Sequence, residues 1–221
     1  MTARIVPDDA AGLARALEVL RSGGIVALPT DTVYGIAVAL ATKGGVERLF
    51  RVKRRPPGKG VVLLLDDASQ VERVAIMTPA GAALTGACWP GGLTVVLAQQ
   101  PASDLPAALT GGQPTVGVRV PDHVTARALA AALGPLPTTS ANLSGLPEGV
   151  NATAVAAQLG EAIELILDGG AAPGGASSTV IDCSRDRPRL IRSGAIPVAG
   201  LARMLDAAGL GHDLHEAPSS G

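Results

Sequence analysis

Gly24-Ile25-Val26-Ala27-Leu28-Pro29-Thr30-Asp31-Thr32-Val33-Tyr34-Gly35 is an apolar run that ends in a polar cluster. Residues 25–29 are apolar at consecutive positions, so neither face of a strand made from them suits water. Such a strand is covered on both sides, as strands of α/β domains are. Thr30, Asp31 and Thr32 then place hydroxyl and carboxyl groups at the strand's end, where binding groups of α/β proteins collect.

Before this run, Ile5-Val6 reads as a short edge strand. Asp8 or Asp9 caps a helix with Leu13, Leu17 and Leu20 at helical spacing, stopped by Gly23-Gly24. After it, residues 44–51 are helical and Val61-Val62-Leu63-Leu64-Leu65 is a strand. Residues 68–76 and 79–87 read as helices, Trp89-Pro90-Gly91-Gly92 as a turn, and residues 93–97 and 116–120 as strands. Asp122 is the expected cap of a helix running to Leu133, with Ala128, Leu129 and Ala132 on its apolar stripe. Residues 136–140 lead into a loop through Ala141-Asn142-Leu143-Ser144-Gly145, and Thr153 caps a helix to Leu159. Residues 165–168 and 189–192 are strands, with a Gly-rich link and Ser177-Ser178-Thr179 between them, and residues 198–208 form a closing helix. Strands and helices mix without strict β-α-β alternation. The expectation is one α/β domain over residues 1–208, a twisted mixed sheet flanked by helices, followed by a disordered polar tail at 209–221.

The 221 residues carry a net charge of −1 and are 47% hydrophobic, ample for a core. No apolar stretch approaches the roughly 20 residues that span a bilayer. The start, Met1 to Asp9, turns acidic before a signal sequence could form, so a cytoplasmic protein without membrane association is expected. Cys88 and Cys183 are the only cysteines and His123, His212 and His215 the only histidines, which supports neither a disulfide framework nor a resident metal site. Tyr34, Phe50 and Trp89 are the only aromatics, too few for stacking single-stranded nucleic acid.

The densest charge lies in Arg51, Lys53, Arg54, Arg55 and Lys59, five cations within nine residues. Pro56, Pro57, Gly58 and Gly60 exclude a helix through the end of this stretch. It reads either as a solvated face or as an anion site, for which guanidinium forks and ammonium groups suit phosphate. Arg119, flanked by Val118 and Val120 on a strand, must either reach solvent or find an anion. Asp31 reads first as a turn or capping residue. Ser140 and Asn142 offer a hydroxyl and an amide two residues apart, although an ordinary Ser/Asn turn accounts for them equally well. Arg192 adds a cation near the end of the chain. No histidine is placed to activate a serine or cysteine, and Cys183 reads as a buried strand residue. Cations, hydroxyls and amides suit a phosphoryl or adenylyl transfer in which positioning does most of the work.

Seven stretches resemble the YrdC family in its short, threonylcarbamoyl-AMP synthase form, and they occur in family order. They are Gly24 to Gly35, the K-x-R-P of Lys53 to Pro56, Trp89 to Thr94, Val118 to Pro121, Ser140 to Gly145, Ser178 to Asp182 and Ile191 to Ile196. The resemblance implies a twisted α/β sheet with a positively charged concave face. It also implies an enzyme that makes threonylcarbamoyl-AMP and pyrophosphate from L-threonine, bicarbonate and ATP with Mg2+, the first step toward N6-threonylcarbamoyladenosine in tRNA. Implied partners are the downstream proteins that transfer the group to tRNA, with contact to tRNA or double-stranded RNA as a further expectation. Carried over by position, Thr32, Arg119, Ser140 and Ser178 would hold threonine. Lys53, Arg55, Lys59, Thr115, Asn142 and Arg192 would surround ATP, with Lys53 and Arg55 as the catalytic pair. The chain departs from the family at Gly60, Leu64, Val150 and Ser193, where Pro, His, Thr and Pro are usual. The resemblance is to the short form of the family, so a fold without the additional C-terminal domain of longer relatives is expected. Two other readings stand beside this one: a noncatalytic RNA-binding module, and a carbamoyl-adenylate enzyme of the hydrogenase-maturation type, whose zinc-finger and acylphosphatase segments are missing here.

Overall fold

Asp9 starts the first helix: its carboxylate accepts the Gly12 N–H at 2.8 Å, so α1 (Ala10–Arg21) follows directly on strand β1 (Arg4–Pro7). The computed structural model describes residues 2–54, 58, 60–173 and 175–214. Ten further strands complete the sheet: β2 (Val26–Leu28), β3 (Gly35–Ala37), β4 (Val62–Leu64), β5 (Ala75–Ile76), β6 (Leu93–Gln99), β7 (Thr115–Arg119), β8 (Leu136–Ser140), β9 (Leu165–Asp168), β10 (Thr179–Asp182) and β11 (Arg189–Arg192). Their spatial order is β1-β9-β2-β3-β8-β4-β7-β6-β10-β11, with β5 pairing β6. The β1–β9, β2–β9, β4–β7 and β6–β10 pairs are parallel and the rest antiparallel, so the expected mixed sheet is present.

The remaining helices are α2 (Gly45–Lys53), α3 (Pro79–Cys88), α4 (Ala107–Thr110), α5 (Val124–Leu133), α6 (Ala152–Leu159) and α7 (Val198–Ala207). Neighbouring residues on one strand sort to opposite faces. Leu64 packs with Ala16 and Leu20 of α1 and Ala126 and Leu129 of α5. Leu63 joins the larger core with Leu49 of α2, Leu84 of α3, Val155 of α6 and Leu201 of α7. Among the described residues, no helix is long and apolar enough to cross a membrane.

Several expectations need correction. Residues 136–140 are not the start of a loop but strand β8, which sits inside the sheet between β3 and β4. Pro137 has no N–H to give, but its carbonyl accepts the Val38 N–H at 3.2 Å. Strand β3, not expected at all, depends on Gly35, because a Cβ there would come within 2.7 Å of Thr138 Cγ2 across the ladder. Residues 68–76 are not an α-helix. Asp67 accepts the Ser69 N–H at 2.8 Å and starts a 3-10 turn, after which Ala75 and Ile76 pair with β6. Helix α5 is entered at His123, not Asp122, and buries Thr125, Ala126, Leu129 and Ala130 in place of the stripe expected through Ala128 and Ala132. Asn151, not Thr153, caps α6 by accepting the Ala154 N–H at 2.8 Å. The expected tail does not leave the body at Gly209: Asp213 donates its N–H to Pro188 O at 2.8 Å and Leu214 is buried. Residues 215–221 lie outside the described part.

Candidate active site

Alternation along the strands builds one wall of a cavity of about 590 Å3. Val118 and Val116 of β7 point into the core, so Thr115, Gly117 and Arg119 face the other way and line the cavity. Register then fixes their neighbours. Val62 and Val96 flank Gly117, Leu64 lies beside Arg119, and Thr94 lies beside Val180. Thr138 and Ser140 enter from β8, Ser178 from the residue before β10, and Arg192 from β11. The floor is apolar at Val62, Gly117 and Val96, and the ends are polar.

Arg119 resolves the choice posed by its valine neighbours: it finds an anion. It is 5% exposed and Asp31 Oδ1 lies 2.6 Å from Nη2. Nε donates to Gly91 O at 2.9 Å and Nη1 to Thr32 Oγ1 at 2.8 Å. Gly91 belongs to the turn that follows the cis Trp89–Pro90 bond, so strand, turn and polar cluster meet at one guanidinium. Burial pulls the guanidinium below its ordinary value, Asp31 opposes the shift, and the nearby charge of Arg192 adds to it. Thr32 is buried beside Thr30, their hydroxyls 3.0 Å apart, and Thr30 donates to Val33 O at 2.6 Å.

At the other side of the cavity Ser178 and Thr94 share a hydrogen bond at 2.8 Å, and Arg192 Nη2 reaches Ser178 O at 2.8 Å and its Oγ at 3.3 Å. Thr94 is a site residue that no sequence motif above marks as polar lining. The signal was there, since a threonine between Leu93 and Val95 on a strand faces away from the core that its neighbours fill. Tyr34 is also fully buried, and its hydroxyl donates to Gly170 O at 2.7 Å and accepts the Gly169 N–H at 3.1 Å, which anchors the Gly-rich link. Burial raises its phenol above the ordinary value. The buried Cys183 thiol is pushed up to about 12, first by burial and then by Asp182, which suits its reading as a core residue and not a nucleophile.

The basic stretch is divided by the helix that carries it. Arg51 and Arg54 are exposed, whereas Lys53 is 2% exposed on the buried face of α2 with Val46 and Leu49. Its ammonium bonds Ser140 O, and it donates to Asn142 O at 2.9 Å and Asn142 Oδ1 at 2.8 Å. Ser140 Oγ also donates to Asn142 Oδ1 at 2.7 Å, while Asn142 Nδ2 donates to Leu143 O and Leu146 O. Lys53 and Asn142 thus stand behind the cavity wall, and Ser140 stands at its surface. Arg55 and Lys59 lie outside the described residues, although Gly58 and Gly60 of the same loop line the cavity. Of the sequence candidates, Thr32, Thr115, Arg119, Ser140, Ser178 and Arg192 are brought to one cavity. Among the described residues, no group of three or more His, Cys, Asp and Glu is arranged to hold a metal ion.

The family model Sua5/YciO/YrdC, described as telomere recombination, matches residues 18–194. A Mycobacterium leprae relative is 36% identical over 201 residues, which is 90% of either chain. A Bacillus subtilis protein named threonylcarbamoyl-AMP synthase is 38% identical over 83% of this chain, and the match spans 54% of its own length. Among solved structures, Pyrococcus abyssi Sua5 complexed with L-threonine superposes with a TM-score of 0.85 at 31% identity. That match covers the whole of this chain and 65% of the archaeal one.

Proposed function

The chain belongs to the Sua5/YciO/YrdC family, and from that membership we propose that it is an L-threonylcarbamoyladenylate synthase. It takes L-threonine, bicarbonate and ATP and makes threonylcarbamoyl-AMP and pyrophosphate, the first step of N6-threonylcarbamoyladenosine formation in tRNA. The observation that carries this reading is the buried Arg119 in the cavity wall. It is held at three nitrogens and has two N–H groups left for an acidic ligand.

In this reading the threonine carboxylate pairs with Arg119, and the hydroxyls of Thr32, Ser140 and Ser178 surround the amino acid. The apolar floor of Val62, Gly117 and Val96 takes the nucleoside, and Thr115 and Arg192 reach its polar atoms. Arg55 and Lys59 complete the phosphate side from the loop that Gly58 and Gly60 bring to the cavity. Lys53 and Asn142 hold the wall in place from behind. The threonine amine adds to the bicarbonate carbon, and loss of water leaves a carbamate. A carbamate oxygen then attacks the α-phosphorus, and the bond to the β-phosphate oxygen breaks to release pyrophosphate. The cations stabilise the charge that grows on the leaving group, so no side-chain nucleophile is needed. Mg2+ enters with ATP as part of the substrate, held by phosphate oxygens and water. The product is a labile mixed anhydride, so its consumers are the proteins that transfer the group to tRNA.

The test is pyrophosphate release by purified protein with L-threonine and bicarbonate omitted in turn. Release that requires both, and that falls in Arg119→Lys, is the expected result. Release indifferent to threonine would remove the substrate assignment. No release together with tight, salt-sensitive RNA binding would favour the noncatalytic module.

A further inference from the structure

Arg119 can offer a ligand only what Gly91, Thr32 and Asp31 leave unused. A guanidinium carries five N–H groups, and three are committed here, one from each nitrogen. Among the described residues, one N–H remains without a partner on each terminal nitrogen. Two such groups meet a carboxylate together only if the guanidinium plane is fixed. Of the three acceptors, the Thr32 hydroxyl can rotate and the Gly91 carbonyl is neutral. Asp31 is charged, its side chain is 17% exposed, and its Oδ1 is itself held by the Asp122 N–H at 3.1 Å. It therefore joins the 30–32 turn, the end of β7 and the approach to α5. It also places a negative charge directly on Arg119.

We propose that Asp31 is a positioning residue for recognition of the threonine carboxylate, holding the Arg119 guanidinium in place. This rests on the synthase reading given above. It assigns a role in specificity to a residue whose sequence context indicates only a turn.

The experiment is steady-state pyrophosphate release with Asp31→Ala and Asp31→Asn beside the unaltered protein. Asp31→Ala is expected to raise KM for L-threonine roughly thirtyfold, the equivalent of one charge-assisted hydrogen bond. KM for ATP stays within about twofold, because the groups around the nucleotide do not depend on Arg119 being held. Asp31→Asn keeps an oxygen that accepts both N–H groups, so its KM for threonine recovers to within about fivefold of the unaltered value. Its more positive site makes threonine binding fall more steeply with salt. An unchanged threonine KM in Asp31→Ala, or an equal rise for threonine and ATP, would overturn the proposal, as would an Asp31→Asn protein as impaired as Asp31→Ala. If Asp31→Ala does not fold, thermal stabilisation of Asp31→Asn by L-threonine decides. Stabilisation with the steeper salt dependence supports the proposal, and its loss or an unchanged salt dependence overturns it. Pyrophosphate release without threonine in the unaltered chain is a separate result that removes the parent reading and this proposal with it.

Discussion

Lys53→Met tests whether the Lys53 ammonium serves the cavity wall or the nucleotide. Methionine keeps the length of the side chain and its packing against Val46 and Leu49 but removes the ammonium. Four acceptors lose it: Ser140 O, Ser140 Oγ at 3.3 Å, Asn142 O and Asn142 Oδ1. Oδ1 retains the Ser140 hydroxyl at 2.7 Å and Ser140 O retains the Asn142 N–H at 3.1 Å, so the largest loss falls on Asn142 O. Each buried acceptor that loses its partner costs about 1–2 kcal/mol. Removing an ammonium from a buried position returns part of that, since its desolvation no longer opposes folding. The net expectation is a loss of about 1–2 kcal/mol, or about 2–8 °C in Tm for a domain of this size.

The consequence for activity follows from what the lysine holds. Ser140 is at the cavity surface and Asn142 braces it, so a loosened wall should lower kcat/KM for L-threonine by about tenfold or more. Urea unfolding and thermal denaturation give the first quantity, and pyrophosphate release against each substrate gives the second. A Lys53→Met protein with unchanged Tm and unchanged KM for threonine, but a raised KM for ATP alone, would refute the argument. The ammonium would then act on phosphate and not on the wall.

Three other perturbations probe separate parts of the site and its support. Thr94→Val and Ser178→Ala remove opposite ends of the 2.8 Å hydroxyl pair, and a double-mutant cycle on threonine affinity should show a coupling of about 0.5–2 kcal/mol. Additive effects would mean the pair does not act together. Burial alone would raise the Asp182 carboxyl, but hydrogen bonds from the Ser184 hydroxyl and N–H, with Arg189, hold it below its ordinary value. A depressed carboxyl contributes stability that is present above the unfolded value of about 3.9 and is lost as pH falls through the folded one. Asp182→Asn should therefore be less stable than the unaltered chain near neutral pH, and urea titrations should show the gap closing in acid; a gap independent of pH would contradict this. Both thiols are raised by burial, Cys183 up to about 12. A disulfide reagent at mildly alkaline pH should react slowly with the native chain and rapidly with both cysteines in concentrated guanidinium. Prompt native labelling of Cys183 would count against its placement in the core.

What the sequence made legible, and what it hid, follows from where each signal originates. Residues 25–29, 61–65, 93–97 and 116–120 are apolar enough that each declares a buried strand by itself. Strands β3 and β8 declare nothing locally: one begins at a glycine, and the other contains Pro137 and runs through Thr138-Thr139-Ser140. Their identity comes from each other, because Gly35 admits the close approach of Thr138. Since Ser140 lies at the end of β8, part of the site looks like loop in the sequence for the same reason. Arg119 announced that it needed solvent or an anion but not which, since Asp31 is 88 residues away in the chain. The basic stretch is the more instructive case. As a count of cations it reads as a solvated face or as a phosphate-binding loop. As a helix, Val46, Leu49 and Lys53 recur on one face, which turns Lys53 inward while Arg51 and Arg54 remain exposed. That periodicity was present in the sequence and outranks the charge count. A cation on the apolar stripe of a helix is committed to structure before it is available to a ligand, so the cations described at this cavity surface come from strands far apart in the chain, Arg119 and Arg192.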